Sequence, residues 1–238
     1  MIDWFEYNER PSFEFGIITT GLRTYGAPNR RVEAVHVPGK NGDLLIDEGT
    51  YDNIIVSYDI AIVQDFPVNA REIAQWLLGD GGYHVLTDSY NEEFYREATY
   101  FNAIEFDVES LKRQGKGTIN FYAKPQRFAW AGGDQKKGNG TITLTNPYGF
   151  PAKPLIHVTG ALTLTINGED TITVSQVVDG RCYIDSETMQ CYSGDTNCNQ
   201  YVQMAEFPVI QPNETMTITI SNAGTNTWTF IEPRYWRL

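Results

Sequence analysis

Cysteine, histidine and long apolar runs are all scarce in this sequence. Its 238 residues include three Cys and three His, and none of them falls in a C-x-x-C or H-E-x-x-H spacing, which excludes the common zinc motifs. No run approaches the roughly 18 apolar residues of a membrane span. The first residues lack the basic and apolar regions of a signal peptide, so we expect synthesis in the cytoplasm and no membrane partner.

The cysteines are also unsuited to a disulfide framework. Cys182, Cys191 and Cys198 are an odd number within one short region, and a reducing compartment agrees with free thiols. A hairpin turn at Asp185–Thr188 would place Cys182 opposite Cys191, within the distance range of a disulfide. We expect this pair to stay reduced and Cys198 to stand apart from it.

Basic residues are also scarce relative to acidic ones. The 18 Lys and Arg residues are outnumbered by 30 Asp and Glu residues, which gives a net charge of −12. Such a surface repels the phosphate backbone, so the sequence excludes a protein that binds nucleic acid through charge.

Motifs of catalysis are missing as well. The sequence has no G-x-S-x-G nucleophile turn, and Gly115-Lys116-Gly117 lacks the Ser or Thr that follows the lysine of a phosphate-binding loop. Carboxylates are abundant, but an acidic protein carries most of them on its solvated surface. We therefore expect no catalytic residues, no cofactor and no enzymatic activity.

One spacing is compatible with a cation site. Asp195, Asn197, Asn199 and Glu206 occupy positions 1, 3, 5 and 12 of a calcium-loop pattern. Gln200 stands where the pattern needs glycine, and the flanks favour strands over helices. Because Asn and Asp also cluster in ordinary turns, a structural turn is the preferred interpretation, with a weak metal site as the alternative.

Strand-forming patterns are plentiful. Asn167-Gly168 and Asp179-Gly180 are hairpin signals, because both turn residues need positive φ. Short runs of β-branched and aromatic residues lie along the chain at Ile54–Val63, Gly117–Ala123, Thr141–Thr145, Leu162–Ile166, Thr171–Val174, Thr215–Ile220 and Thr227–Ile231. We expect a mainly β protein whose second half is a sandwich of jelly-roll or lectin-like type.

One amphipathic helix is predicted at Ala70–Leu78, with an apolar stripe that would cover a sheet. Asn69 is the expected N-cap, Glu72 completes a capping box, and Pro67 precedes the helix. Gly79 is expected to end it in a left-handed conformation.

A Gly-rich polar segment marks the predicted domain boundary. Residues 131–140 read AGGDQKKGNG, a composition typical of linkers. We therefore divide the chain into a domain at 1–131, a linker at 132–140 and a β-sandwich at 141–238.

Several aromatic residues of the second half are candidates for stacking on sugars. They are Tyr183, Tyr192, Tyr201 and Trp228. Core or interface packing is the alternative for each, since large aromatic side chains dominate both environments.

A series of short strings, in this order and spacing, resembles the distal tail proteins of long, flexible-tailed phages. The strings cover most of the chain and are Val37–Leu44, Tyr51–Asn53, Tyr83–Tyr90, Tyr95–Ala98, Gly117–Phe121 with Lys124-Pro125, Thr145–Pro147, Ala152–Pro154, Tyr183–Glu187, Glu206–Pro208 and Pro233–Leu238. Pro212–Glu214 departs from the pattern, which would have Pro-Gly there.

The resemblance implies a virion structural protein at the distal end of the tail. Its N-terminal domain, β-sandwich-like with one helix, would form a homohexameric ring, and its C-terminal domain would be a galectin-like sandwich. The implied partners are the tail tube protein, a tail-associated lysin or tip protein, and receptor-binding proteins. DNA would pass through the acidic ring without specific binding. The main alternative is a carbohydrate-binding adhesion module, and a tail-associated hydrolase is disfavoured.

Overall fold

The computed structural model describes residues 3–21, 26–109, 114–130 and 136–238. The chain divides into two compact units, Met1–Arg127 together with Leu238, and Phe128–Arg237. None of the helices in the described ranges is long and apolar enough to cross a membrane.

The first unit is built mainly from antiparallel strands. These are β1 (Phe5–Tyr7), β2 (Arg10–Pro11), β3 (Ile17–Thr20), β4 (Arg30–Val35), β5 (Leu44–Tyr51), β6 (Ile54–Ile62), β7 (His84–Asp88), β8 (Phe94–Thr99), β9 (Asp107–Glu109) and β10 (Gln114–Ala123). One sheet has the order β2-β1-β7-β8-β10-β6-β3, with β9 beside β10, while β4 and β5 form a separate two-stranded ribbon. The unit also contains a short 3-10 helix, Ser12–Phe15, and the helix α1, Phe66–Leu78.

Aromatic side chains fill the interior of the first unit. Phe121 is fully buried and meets the rings of Phe5 and Tyr100 edge-on, with centroids 5.7 and 5.8 Å apart. Trp76 of α1 stacks on Phe15 at 4.4 Å. Such edge-to-face and offset contacts add to the free energy of burying the rings, so these aromatic residues hold helix and sheet together.

The helix α1 begins at Phe66 rather than at the predicted Ala70. Pro67 lies inside its first turn, where a missing backbone N–H removes no helical hydrogen bond. The predicted caps are wrong: Asn69 donates its Nδ2 to the Gln64 carbonyl over 2.8 Å, and no side chain caps the helix start. The ring of Phe66 packs on β10, where a Cβ at Gly115 would collide with it.

The end of α1 also differs from the prediction. Gly79 has a φ of −75°, a right-handed value, and its N–H donates to the Gln75 carbonyl over 2.8 Å. Glycine is needed there because a Cβ would crowd that same carbonyl, not because the backbone is left-handed. Leu77 is fully buried while Leu78 is exposed, so the apolar stripe is narrower than expected.

The second unit is a sandwich of two antiparallel sheets, which confirms the mainly β class. After β11 (Arg127–Ala129), the strands of the two sheets are β12 (Lys136–Gly138), β13 (Thr141–Thr145), β14 (Leu155–Val158), β15 (Leu162–Ile166), β16 (Asp170–Val174), β17 (Cys182–Asp185), β18 (Gln190–Ser193), β19 (Thr196–Asn197), β20 (Val202–Gln203), β21 (Thr215–Ser221) and β22 (Thr229–Glu232). The last strand, β23 (Trp236–Arg237), pairs with β11. The two sheets have the orders β12-β22-β14-β17-β18-β19 and β13-β21-β15-β16-β20.

The predicted linker is too long at its C-terminal end. Residues 131–135 lie outside the described ranges, but Lys136–Gly138 form β12 and pair with β22. The last part of the segment 132–140 thus belongs to the sandwich, because a Gly-rich sequence can still satisfy its backbone hydrogen bonds at a sheet edge.

The turn residues of the sandwich behave as their chemistry predicts. Asn167 and Gly168 have φ values of 51° and 80°, and Asp179 and Gly180 have values of 48° and 77°, which confirms both hairpin turns. At the departure from the family pattern, Asn213 adopts a φ of 58°. Asparagine tolerates this left-handed conformation, so it replaces the expected glycine.

The hairpin of β17 and β18 exists, but its predicted register is wrong. Ile184 pairs with Cys191 and Tyr183 with Tyr192, so Cys182 and Cys191 are not opposite each other. The cause is a longer loop, in which Asp185 Oδ1 accepts hydrogen bonds from the N–H groups of Glu187 and Thr188.

The three cysteines form one buried group, which overturns the expectation that Cys198 stands apart. All three are free and almost fully buried, and the Cys198 N–H donates to the Cys191 carbonyl over 2.7 Å. Burial raises the pKa of Cys182 to about 12 and that of Cys191 to about 11. These thiols stay protonated at neutral pH and act as small apolar side chains.

Candidate functional site

The ribbon of β4 and β5 is the first candidate, because it lies apart from the sheets of the first unit. In the part of the chain that the structure describes, its two strands pair only with each other. Val32, Leu44, Leu45 and Ile46 are all exposed, and Leu45 retains 67% of its accessible surface. The register puts Val32 and Leu45 on one face and Leu44 and Ile46 on the other. Both faces of the ribbon are therefore partly apolar.

Ion pairs link the two strands of the ribbon near its base. Arg30 contacts both carboxylate oxygens of Asp47 and donates to the Tyr51 hydroxyl over 3.1 Å, and Arg31 pairs with Asp52 at 2.7 Å. The hydrogen bond from Arg30 lowers the pKa of Asp47. These pairs are exposed and add little stability, but they join the two strands of the ribbon to each other.

A two-stranded ribbon is at best marginally stable alone in water, and apolar patches of this kind mark interaction surfaces. The ribbon is therefore suited to bind another protein surface. The ribbon was not predicted from the sequence, although the consecutive Leu44-Leu45-Ile46 indicates a strand with apolar residues on both faces. Strand alternation must put such a run on both faces.

The second candidate is a row of aromatic rings across the outer face of the six-stranded sheet. Phe230, His157, Tyr183 and Tyr192 lie directly opposite one another on β22, β14, β17 and β18. His157 stacks on Phe230 at 4.4 Å, and Tyr183 stacks on Tyr192 at 5.3 Å. All four are half-buried, so the row forms a continuous but accessible band.

A polar groove begins where this row ends. Tyr192 lines it together with Gln190, Asp195, Thr196 and Asn197, and its volume, including open space, is about 700 Å³. Apart from Tyr192, these four residues are exposed. The groove thus combines one aromatic ring with amide, hydroxyl and carboxylate groups.

The electrostatics of the row centre on His157. Burial, with a smaller contribution from Arg181, lowers the pKa of His157. Arg181 also donates to the Tyr183 hydroxyl over 3.1 Å. His157 is therefore uncharged at neutral pH, and the guanidinium of Arg181 lies at the edge of the row beside Tyr183.

The structure separates the four predicted sugar-contacting residues. Tyr183 and Tyr192 belong to the row. Trp228 directly precedes β22, and its backbone N–H donates to the Thr159 hydroxyl over 2.9 Å. Tyr201 instead packs against the interior, and its carbonyl accepts hydrogen bonds from the backbone and hydroxyl of Ser175.

The predicted cation ligands are engaged mostly as turn residues. Asn197 Oδ1 accepts from the Asn199 N–H over 2.9 Å, and Asn199 Oδ1 accepts from the Cys191 N–H over 2.8 Å. Asp195 and Glu206 are exposed. Within the described residues no group of three or more His, Cys, Asp or Glu is placed to hold a metal ion. These bonds support the structural-turn interpretation.

The succession of a helix-bearing antiparallel unit and a two-sheet sandwich is the fold of phage tail-tip hub proteins. The structure matches SPP1 Dit, described as a paradigm of the hub adsorption apparatus in phages that infect Gram-positive bacteria, over 98% of this chain and 99% of that chain, with a TM-score of 0.67 and 11% identity. It also matches a chain of the phage p2 baseplate in its activated conformation with Sr, over 97% and 98% of the two chains, with a TM-score of 0.53 and 7% identity.

At such low identity the likeness establishes the fold, and it confirms the resemblance to distal tail proteins at that level. No protein-family model matches the sequence, and no curated protein matches it.

Proposed function

We propose that this chain is a structural subunit of a phage tail tip, which closes with copies of itself into a hexameric ring between the tail tube and the tip. The observation that carries the proposal is the end-to-end likeness to SPP1 Dit, which spans both units rather than one common domain. A shared sandwich alone would say little, since that architecture serves many functions.

The exposed ribbon supplies a means of ring closure. Its apolar residues, Leu45 above all, would pack against the next subunit around the ring, a contact that repeats head to tail until the ring closes. We assign the ring-forming role to the first unit for this reason. The second unit would then present its outer faces to other tail components.

The wider assembly belongs to the same proposal. The ring would contact the tail tube protein on one side, a tail-associated lysin or tip protein on the other, and receptor-binding proteins around it, at the distal end of the virion tail. The net charge of −12 would let DNA pass without binding. The role is mechanical, so we propose no enzymatic activity.

Native mass spectrometry and negative-stain imaging of the purified chain test this proposal. We expect a hexameric ring for the wild type and monomers for Leu45→Asp, because a charge would be buried in the intersubunit contact. Leu45 is 67% exposed in the single chain, so the Leu45→Asp monomer should remain folded, with the circular dichroism spectrum of the wild type.

Met189→Asp is the matched control. Met189 is 68% exposed, as apolar as Leu45, and lies on a turn of the second unit, so this variant should still form rings. A wild-type chain that stays monomeric and binds glycans would contradict the ring and favour the alternative, a carbohydrate-binding adhesion module. Rings of Leu45→Asp as stable as the wild type would remove the ribbon from the interface.

A further inference from the structure

We infer that Asn41, in the loop that joins the two strands of the ribbon, is a site of covalent self-modification, at which its side-chain amide is converted to a carboxylate. The sequence contains Asn-Gly pairs at 41–42, 139–140 and 167–168. Glycine after asparagine leaves the backbone nitrogen sterically open and the backbone flexible, so each pair has the required chemistry. The structure separates the three pairs, and the inference concerns a single chain, so it does not depend on ring formation.

The conversion needs no cofactor and no second protein. The backbone nitrogen of Gly42 loses its proton to solvent base and attacks Cγ of Asn41. A new C–N bond forms, the C–N bond of the side-chain amide breaks, and ammonia leaves. Water then adds to either carbonyl carbon of the cyclic imide and opens it, which gives aspartate or isoaspartate. The balance is one amide and one water consumed, with one carboxylate and one ammonia produced.

The ribbon loop leaves this pair free to reach the reactive geometry. Asn41 and Gly42 are both exposed. Within the described residues, neither the Asn41 side chain nor the Gly42 N–H makes a hydrogen bond. Gly42 has a φ of 80°, and no atom lies within 4 Å of the place that a Cβ would take. No contact therefore has to be broken before the nitrogen approaches Cγ.

The pair at Asn167 has the same chemistry in a locked hairpin. The Asn167 Oδ1 accepts a hydrogen bond from the Thr217 N–H over 2.8 Å, and the Asn167 N–H donates to the Thr217 carbonyl over 2.8 Å. These bonds hold the asparagine on β21, so they must open before Gly168 can attack. The loss of two hydrogen bonds should make Asn167 react about tenfold or more slowly than Asn41.

The pair at Asn139 is intermediate. Asn139 and Gly140 are exposed, but the Gly140 carbonyl accepts a hydrogen bond from the Ile220 N–H over 3.0 Å. This bond ties the glycine to β21 and restrains the peptide unit that would have to rotate. The expected order of rates is therefore Asn41, then Asn139, then Asn167.

The conversion changes the charge of the ribbon loop. Lys40 and Asp43 flank the pair and carry opposite charges. A carboxylate at position 41 adds a negative charge to them, and isoaspartate also lengthens the backbone. A chain that ages in solution therefore becomes more acidic at the end of its ribbon.

Incubation of the full chain at mildly alkaline pH tests the site, with pepsin digestion at acidic pH and mass spectrometry of the peptides. We expect the mass difference between amide and carboxylate to appear first at Asn41, later at Asn139 and last at Asn167. In urea the three sites should convert at similar rates, because the hydrogen bonds that protect Asn167 are lost. The same order of rates in urea would overturn the inference, since the fold would then not set it.

Gly42→Ala should slow the conversion of Asn41 about tenfold, because a methyl group crowds the attacking nitrogen. Gly39→Ala is the matched control. Gly39 lies in the same loop with a φ of 82°, and no atom lies within 4 Å of its Cβ position either, so the variant adds the same backbone strain without touching the reacting bond. Its rate should equal that of the wild type. No conversion at Asn41 in the folded chain, conversion of Asn167 as fast as that of Asn41, or equal slowing by the two variants would each contradict the assignment.

Discussion

The two units of this chain differ in how much of their interior is aromatic. In the first unit Phe5, Phe121 and Trp76 are buried between sheet and helix. In the second unit the interior is mostly aliphatic, and Tyr183 and Tyr192 lie on the outside of a sheet. Aromatic side chains therefore form much of the core in the first unit, and in the second unit they form a band on the sheet surface.

The difference follows from the kind of element that packs on each sheet, a helix in the first unit and a second sheet in the second. A helix above a twisted sheet leaves irregular spaces, and Trp76 fills one of them while its Nε1 donates to the Tyr7 carbonyl over 3.0 Å. Two sheets face to face lie about 10 Å apart, a spacing that rows of Ile, Leu and Val fill well. Aromatic content alone, 13% across the chain, conceals this division.

The largest expected effect tests the helical layer of the first unit. Leu77→Asp would put a charge into the fully buried face of α1 and should lower the free energy of unfolding by about 4 kcal/mol or more. Leu78→Asp, one residue on and 48% exposed, should change it by less than about 0.5 kcal/mol. Thermal melts of the two variants decide this, and similar losses would mean that α1 does not pack as described.

An intermediate effect tests the contrast between buried and exposed rings. Phe121→Ala should cost about 4 kcal/mol, because it leaves a cavity among the rings that surround Phe121. Phe230→Ala removes the same side chain from the outer row and should cost about 1 kcal/mol or less. Urea denaturation followed by circular dichroism measures both. Similar losses of unfolding free energy in the two variants would mean that Phe230 is as important to the core as Phe121.

The smallest effect concerns pH and the outer row. The pKa of His157 is lowered in the folded chain, so below the ordinary value of about 6.5 the unfolded chain binds the proton first. Wild-type stability should therefore fall as the pH drops through that value, and less steeply in His157→Gln. Melting midpoints between about pH 8 and pH 5 show the difference.

The comparison variant for this experiment is His36→Gln, since His36 is exposed on the ribbon loop. It removes an exposed imidazole, so its curve shows what the loss of a histidine outside the row does to the pH dependence. Parallel curves for His157→Gln and the wild type would show that the row does not disfavour the charged imidazole.

Alternating patterns and turn residues were enough to predict most strands of the sandwich. Thr141–Thr145 and Leu162–Ile166 are strands with the predicted bounds, because alternation and positive-φ turn residues are local properties. The start of α1 was not predictable in this way. It depends on the packing of Phe66 over Gly115, two residues far apart in sequence.

The candidate sites show the same limit. Tyr183 and Tyr192 were named from residue type alone, yet the predicted register would have set Tyr183 opposite Gln190. One side chain, Asp185, lengthens the turn and shifts the pairing, which brings the two tyrosines together. The ribbon was missed because the run Leu44-Leu45-Ile46 indicates apolar residues on both faces of a strand, but does not show whether another layer covers those faces.

The isolated ribbon has a consequence for the life of the protein before assembly. Its strands have open edges, and its apolar side chains remain largely exposed among the described residues. A single copy of the chain therefore exposes an apolar strand pair to the solvent. Chaperones and proteases recognise such segments. In the proposed ring, neighbouring copies would cover this surface, so only copies outside a ring would be removed.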